Sequence, residues 1–245
     1  RIDAVSTGKI SLQFVRAISL MRPYVREGAF RCSDERVNRV WETAVRTVHL
    51  CCQEYLWDGI KRDRLVWMGD THPETRALLA AFGGVRILPD TLDYAAENTP
   101  AATHVMNGMP NYSLWWVRNL HDWYFYSADF RYLKKHHAYL KTIVGRFVKS
   151  IKDDGTQTWG GFLDWPTQHN AEACKTGTCG LMCTTLQEAK YLAGILGDTA
   201  LEKTCDEGIA KLRKGKPSFA GSKQAAALLA LAGLRDRREM FDGVI

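Results

Sequence analysis

Helical periodicity is the feature that most constrains the fold of this chain. From Ser33 onward, apolar side chains recur every three to four residues, and the alternation typical of strands is almost absent. This spacing predicts an all-α fold of consecutive amphipathic helices joined by short loops, either a bundle or a helical toroid. The predicted helices are 33–57, 73–82, 90–98, 112–127, 130–151, 181–196, 199–212 and 222–234.

The first thirty residues have a different pattern. They carry short apolar runs followed by a Pro and Gly break, which is typical of a strand region running into a linker. We therefore predict that residues 1–30 are a β-type linker or the end of a preceding β-rich domain, and that residues 31–245 form the helical domain.

Composition excludes several functional classes. The net charge is +6, but the basic residues are scattered and form no continuous stripe for nucleic acid. No apolar run approaches the roughly 20 residues that span a bilayer. The histidines and cysteines lack the spacing of metal ligands, so we predict neither a metal nor a cofactor.

The seven cysteines are predicted to be mainly buried thiols, since no CxxC pair is present. Cys174, Cys179 and Cys183 lie in a Gly/Thr-rich segment, and two of them could form one disulfide if the protein is exported. The whole of segment 153–180 is long and contains aromatic residues, which argue against disorder, so it is predicted to be a binding loop.

Acidic and indole side chains concentrate in the stretch "WDGIKRDRLVWMGDTHPE", residues 57–74. A sugar presents an apolar C–H face and a rim of hydroxyls, so a sugar site pairs indole rings with carboxylates. The candidates in this stretch are Asp58, Asp63, Asp70 and Glu74, with Trp67 beside them. A salt-bridged loop, in which the neighbouring Lys and Arg neutralise the acids, is the open alternative.

Two later clusters repeat this combination of residues. Trp116 and Trp123 lie on an aromatic-rich predicted helix, and we expect some of its rings to line a cavity and others to fill the core. Asp164, Trp165 and His169 lie together in the predicted binding loop.

The motif "DGIKRDRLVWMGD", preceded by "FRCSDERVNRVWETAVRT", resembles the catalytic domain of bacterial α-L-rhamnosidases, glycoside hydrolase family 78. The family motif reads roughly D-C-P-x-R-E/D-x-R-x-x-W-x-G-D. Its matching positions here are Asp58, Arg62, Asp63, Trp67, Gly69 and Asp70. The chain departs from the motif at Gly59 and Ile60, which replace Cys-Pro.

The resemblance implies an (α/α)6 toroid that removes terminal, non-reducing L-rhamnose with inversion of configuration. It implies that Asp63 is the general acid, with Glu74 as the alternative acid. Asp58, Arg62 and Asp70 would bind the sugar or stabilise positive charge on it. Trp67, Trp116, Trp123 and Trp165 are the candidates for packing against the ring.

The resemblance also implies a general base further along the chain than Ile245. We therefore expect an incomplete toroid, a fragment with little activity alone, and missing parts of a parent chain as partners. The expected substrate is a rhamnose-containing oligosaccharide, polysaccharide or glycoside, which favours a periplasmic or secreted location.

Two other functions stay open at this point. A non-catalytic carbohydrate-binding toroid would use the same indoles and carboxylates, and another (α/α)6 hydrolase would differ in the sugar that its pocket admits. A purely structural helical protein gives no reason for acids and indoles to gather in three regions.

Overall fold

The computed structural model describes residues 3, 5 and 7–243, and its regular elements there are helices. They are α1 Glu35–Cys51, α2 Met68–Phe82, α3 Ile87–Glu97, α4 Pro110–Ser127, α5 Phe130–Lys135, α6 His137–Lys149, α7 Ala171–Leu196, α8 Thr199–Lys214, α9 Lys223–Leu231 and α10 Arg237–Asp242, with a 3₁₀ turn at Met106–Gly108. The predicted all-α class is confirmed. Within the described residues, no helix is long and apolar enough to cross a membrane.

Four helices pack side by side in the order α2, α4, α7 and α9. They run parallel, since residues early in one helix contact residues early in the next. In α2 and α4, for example, Gly69 lies against Tyr112 where both helices start, and Arg76 donates to Asp122 further along both helices. Helices α3, α6 and α8 pack against this row. The four parallel helices begin at the same end, so the segments that precede them meet there.

A polar cluster ties three helices of the row together. Arg118 on α4 makes a bidentate ion pair with Glu188 on α7, at 3.0 Å, and its guanidinium lies over the ring of Trp115. Arg76 on α2 donates to Asp122 on α4 at 3.0 Å. These partly buried contacts fix the spacing of the row, since each charge has a partner in the neighbouring helix.

Helix α7 starts ten residues earlier than predicted, so the predicted loop 153–180 is wrong over residues 171–180. Asn170 caps the helix by accepting the N–H of Ala173. The Thr178 hydroxyl donates to the carbonyl of Cys174 one turn earlier, so this buried polar group has a hydrogen-bond partner within its own helix. The glycines serve packing here: a Cβ on Gly180 would lie 2.7 Å from backbone atoms of Leu228 on α9.

The ends of α1 and the start of α2 also differ from prediction. α1 stops at Cys51 instead of near Trp57, because the chain turns to bury Leu56, whose N–H donates to the hydroxyl of Thr91. α2 starts at Met68 instead of Pro73, because the side chain of Asn107 accepts the Met68 N–H.

The predicted helix 130–151 is two helices, α5 and α6, separated at His136. This histidine is buried, its Nε2 lies 2.7 Å from Asp93 Oδ1, and its ring packs edge-on against Trp116. The break between α5 and α6 therefore places the His136 ring beside Asp93 of α3. The predicted boundaries of the other helices hold to within about three residues.

The segment before α1 has no helix or strand over residues 7–34. Its last part is attached to the helical body: Arg22 donates to the carbonyls of Gln53 and Glu54, and the Tyr24 ring stacks on His49. Residues 1, 2, 4 and 6 of the predicted linker, and residues 244 and 245 of the predicted helical domain, lie outside the described residues. The division at residue 30 stays a prediction.

All seven cysteines are free thiols, and all except Cys32 are buried. The prediction of buried thiols is confirmed, and the disulfide left open for Cys174, Cys179 and Cys183 is not formed. These three residues lie on α7.

The close approach of α7 and α9 predicts the effect of an added methyl group. Gly180→Ala should lower the free energy of unfolding by about 1–3 kcal/mol, because the Cβ has only backbone to displace. Gly145→Ala is the matched control: it lies within α6 with nothing within 4 Å of its Cβ position, so it should stabilise by up to about 1 kcal/mol. Urea denaturation measures both, and equal stability of the two variants would contradict the packing.

Candidate active site

The loop between α1 and α2 closes on itself around Asp58. The Asp58 N–H donates to the Leu65 carbonyl at 3.0 Å, and the Leu65 N–H donates back to Asp58 Oδ1 at 3.1 Å. Arg64 takes a positive φ of 55° to allow the turn. As a result the Asp58 side chain is 2% exposed, with Arg62 Nη2 at 3.6 Å from its second oxygen.

A cleft of about 1110 Å³ lies between α1, the first half of α2 and loop residues 58–62. Three carboxylates line it: Asp58 from the loop, and Asp70 and Glu74 from one face of α2. The cationic residues that also line it are Arg36, Arg39, Lys61 and Arg62. The structure thus brings Asp58, Arg62, Asp70 and Glu74 together, as expected from the sequence motif.

Glu74 has a strongly perturbed pKa. Burial, together with the negative charges of Asp70 and Asp58, raises the pKa of Glu74 from 4.5 to about 8. Its Oε2 is buried and accepts no hydrogen bond. A carboxyl in this environment holds its proton near neutral pH, which is the state that a general acid needs.

Asp70 has a different environment one turn earlier. Burial raises the pKa of Asp70, but the Tyr112 hydroxyl donates to its Oδ2 at 3.3 Å and favours the charged form. The Tyr112 ring lies directly against Gly69, where a Cβ would come within 2.5 Å of the ring. The Tyr112 ring can therefore occupy this position only because residue 69 is a glycine.

Asp63 is not part of the cleft lining. Its Oδ2 accepts the indole N–H of Trp67 at 3.2 Å and lies 3.4 Å from Arg62 Nη2. The Asp63 side chain is 37% exposed. Asp63 and Trp67 thus form the outer edge of the site in this structure.

A row of aromatic rings connects the motif loop to the long loop before α7. Trp67 contacts Tyr112 edge-on at 6.0 Å between centroids, Tyr112 contacts Phe162 at 6.3 Å, and Phe162 contacts Trp165 at 5.3 Å. Burial raises the pKa of the Tyr112 hydroxyl, and the charges of Asp70 and, more weakly, of Asp164 raise it further. This aromatic row puts Asp164 and the exposed Trp165 on the same end of the molecule as the cleft.

The long loop is held in place by two buried amides. The Asn111 side chain donates to the Phe162 carbonyl at 2.6 Å and to the Thr178 hydroxyl at 2.8 Å. Gln157 accepts the backbone N–H groups of Trp159 and Gly160 at 2.6 and 3.1 Å. The first turn of α4 therefore touches both parts of the site, the long loop through Asn111 and the motif loop through Tyr112.

Comparison with known proteins identifies the family of this chain. Residues 25–214 match the model of the bacterial α-L-rhamnosidase 6 hairpin glycosidase domain. The chain belongs to this family. No curated protein sequence matches it.

Solved structures show the same fold at low identity. A GH78 family rhamnosidase of Bacillus sp. GL1 superposes with a TM-score of 0.72 at 20% identity, over 91% of this chain and 27% of that one. A Klebsiella oxytoca rhamnosidase with rhamnose bound gives 0.72 at 18% identity, over 87% of this chain and 48% of that one. The chain therefore spans between about a quarter and a half of the length of these structures, and its helices form part of the six-hairpin toroid.

The remaining candidates lie away from the cleft of this rhamnosidase-family domain. Trp116 is fully buried and donates its indole N–H to the Leu92 carbonyl, and Trp123 is 6% exposed. His169 is exposed in the long loop. Asp164 lines a separate cavity of about 480 Å³ beside the start of α9.

Tyr112 is the site residue that sequence reasoning missed. It was the first residue of a predicted aromatic helix, and its place beside Asp70 depends on the packing of α4 on α2. The available signal was Gly69: a glycine just before Asp70, at the start of α2, indicates that another group approaches the backbone there.

The raised pKa of Glu74 predicts a pH-dependent stability effect. The folded protein keeps this proton while the unfolded chain, with a pKa near 4.5, loses it, so the wild type is progressively destabilised from about pH 4.5 to about pH 8. Glu74→Gln removes this penalty, and its melting temperature relative to wild type should rise across that range.

The matched control is Glu207→Gln, an exposed glutamate on α8. Its melting temperature should follow that of the wild type across the range. If the melting-temperature difference between Glu74→Gln and the wild type does not change between pH 5 and pH 8, the buried, protonated state of Glu74 is contradicted.

Proposed function

We propose that this domain belongs to a glycoside hydrolase that removes terminal, non-reducing α-L-rhamnose with inversion of configuration. The observation that carries the proposal is the cleft at the start of α2, where Asp58, Asp70 and Glu74 meet and burial raises the pKa of Glu74 to about 8. Hydrolysis of a glycosidic bond needs one protonated carboxyl beside charged ones, because it combines proton donation with stabilisation of an oxocarbenium ion.

Two carboxyls compete for the role of general acid. Asp63 occupies the acid position of the family motif, whereas Glu74 has the environment of an acid. Glu74 lines the cleft and is buried, while Asp63 lies outside the lining and has one oxygen bonded to Trp67. We therefore assign the acid to Glu74, with Asp63 as the second candidate.

The charged residues of the cleft would bind the sugar and its developing positive charge. Asp58 and Asp70 present carboxylate oxygens to the cleft, and Arg62 lies at its rim beside Asp58. Carboxylates accept sugar hydroxyls as hydrogen-bond donors and stabilise positive charge at the anomeric carbon.

The aromatic row would supply the apolar side of the sugar site. Trp67 and the exposed Trp165 are proposed to pack against the methyl and C–H face of the sugar, with Asp164 and His169 on the long-loop side. We propose that Trp116 and Trp123 support the site from the core, because both are buried.

Inversion also needs a carboxylate that activates water, roughly 6.5–9.5 Å from the acid. The chain covers 27% and 48% of the two matched rhamnosidases. We propose that another part of a longer parent chain supplies the base, so that this chain alone turns over rhamnosides little or not at all.

The test is hydrolysis of an α-L-rhamnosyl disaccharide by the parent protein. Glu74→Gln should reduce the rate by about 10²–10⁴-fold, the usual contribution of a general acid, while the control Glu207→Gln leaves it unchanged. Proton NMR of the first product should show β-L-rhamnose, the inverted anomer.

Other outcomes would reject parts of the proposal. A rate that collapses in Asp63→Asn but not in Glu74→Gln would move the acid to Asp63. Rhamnose binding without turnover by the parent protein would indicate a non-catalytic carbohydrate-binding domain. Hydrolysis of another glycoside in place of rhamnosides would support the proposed glycoside hydrolysis and reject rhamnose as the sugar that is removed.

A further inference from the structure

Asp70 and Glu74 are two acids that cannot both be charged at low cost. They lie at positions i and i+4 of α2, so both side chains occupy one helix face, and both line the same partly buried cleft. Like charges at this spacing repel, and burial strengthens the repulsion. One proton must therefore be placed on one of the two, and the surroundings decide which.

Tyr112 distinguishes the two acids. Its hydroxyl donates to Asp70 Oδ2 at 3.3 Å, whereas Glu74 Oε2 is buried without a hydrogen bond. Several other titratable or charged groups surround the pair in the cleft: Asp58, Lys61 and Arg62 from the motif loop, Arg36, Arg39 and Cys51 from α1, and Cys52 just after it. Asp164 from the long loop acts on Tyr112 itself. Among these described groups, Tyr112 is the hydroxyl donor on Asp70.

The geometry leaves the Tyr112 hydroxyl little freedom to turn away. Its side chain is 8% exposed, its ring rests against the Cβ-free face of Gly69, and Trp67 and Phe162 contact the ring. The tyrosine belongs to the first turn of α4, which is fixed to α7 and to the long loop by Asn111 next to it. The donor is thus held in position by packing and does not depend on its bond to Asp70.

We propose that Tyr112 is a positioning residue that holds the negative charge on Asp70 through its hydroxyl and so leaves the shared proton on Glu74. The hydrogen bond is the main effect that opposes burial at Asp70, whereas charged Glu74 is stabilised only by the weak donor of the Cys51 thiol, the smallest of the effects on its pKa. The significance for catalysis rests on the proposed function, since an ionised Asp70 beside a protonated Glu74 is the arrangement that glycoside hydrolysis requires. The charge assignment itself can be tested without turnover.

The test is a ¹³C NMR titration of the Asp and Glu carboxyls in the wild type and in Tyr112→Phe. The phenylalanine keeps the ring over Gly69 and removes only the donor. The Asp70 midpoint should rise by about one pH unit, the size expected for loss of a hydrogen bond to a charged group, and the gap between Asp70 and Glu74 should narrow. The control Tyr191→Phe, on the exposed face of α7, should move neither midpoint.

A double variant separates the proposed coupling from a general change in structure. In an Asp70→Asn background, Tyr112→Phe should leave the Glu74 midpoint unchanged, because the acid through which Tyr112 acts is gone. Equal Glu74 shifts with and without Asp70, or an unchanged Asp70 midpoint in the single variant, would overturn the proposal.

Two further measurements keep the result interpretable. If Tyr112→Phe does not fold, a 3,5-difluorotyrosine at position 112, which is a stronger donor, should lower the Asp70 midpoint, and a rise would overturn the proposal. In the parent protein, Tyr112→Phe should move the acidic limb of the pH–rate profile to higher pH. If Tyr112→Phe shifts the Asp70 titration midpoint as expected but the parent protein hydrolyses no rhamnoside, the positioning role of Tyr112 is supported and the proposed function is rejected.

Discussion

The parallel packing of α2, α4, α7 and α9 is the constraint on which the site depends. Because these helices start at one end, the motif loop, the 3₁₀ turn and the long loop meet there. The close contacts at Gly69 and Gly180 are part of this arrangement, since a Cβ at either position would meet a neighbouring helix at less than 3 Å. Small residues in the row therefore determine how near the acids and aromatic rings come to one another.

Electrostatics then gives each acid of the cleft a separate state. Asp58 is enclosed by its own loop and paired with Arg62, Asp70 accepts a tyrosine hydroxyl, and Glu74 is buried with an unpaired oxygen. Asp70 and Glu74, two carboxyls of similar intrinsic acidity, thus come to differ through burial, neighbouring charge and hydrogen bonding. Asp58 comes from the loop and Asp70 from the start of α2, while Glu74 lies one turn further along α2.

Much of the fold could be predicted from the sequence, and the reasons for the rest are physical. Amphipathic spacing predicted most of the helices. The acid and indole stretch contains four residues that line the cleft, Asp58, Arg62, Asp70 and Glu74, but its Asp63 and Trp67 are not part of that lining. The start of α7 was missed because glycines and threonines read locally as a loop, whereas Gly180 is needed for contact with α9 and Thr178 bonds to its own helix. Tyr112 and the buried state of Glu74 depend on tertiary contacts, which local spacing does not encode.

The most direct test of the central claim is a crystal structure of the protein with L-rhamnose. The account predicts one pyranose ring in the cleft between α1 and α2, with sugar hydroxyls donating to Asp58 and Asp70 and the ring within reach of Glu74. Rhamnose bound only elsewhere, such as in the cavity beside Asn170 and Ser222, would contradict the assignment of the cleft. A structure without bound rhamnose at saturating concentration would contradict it equally.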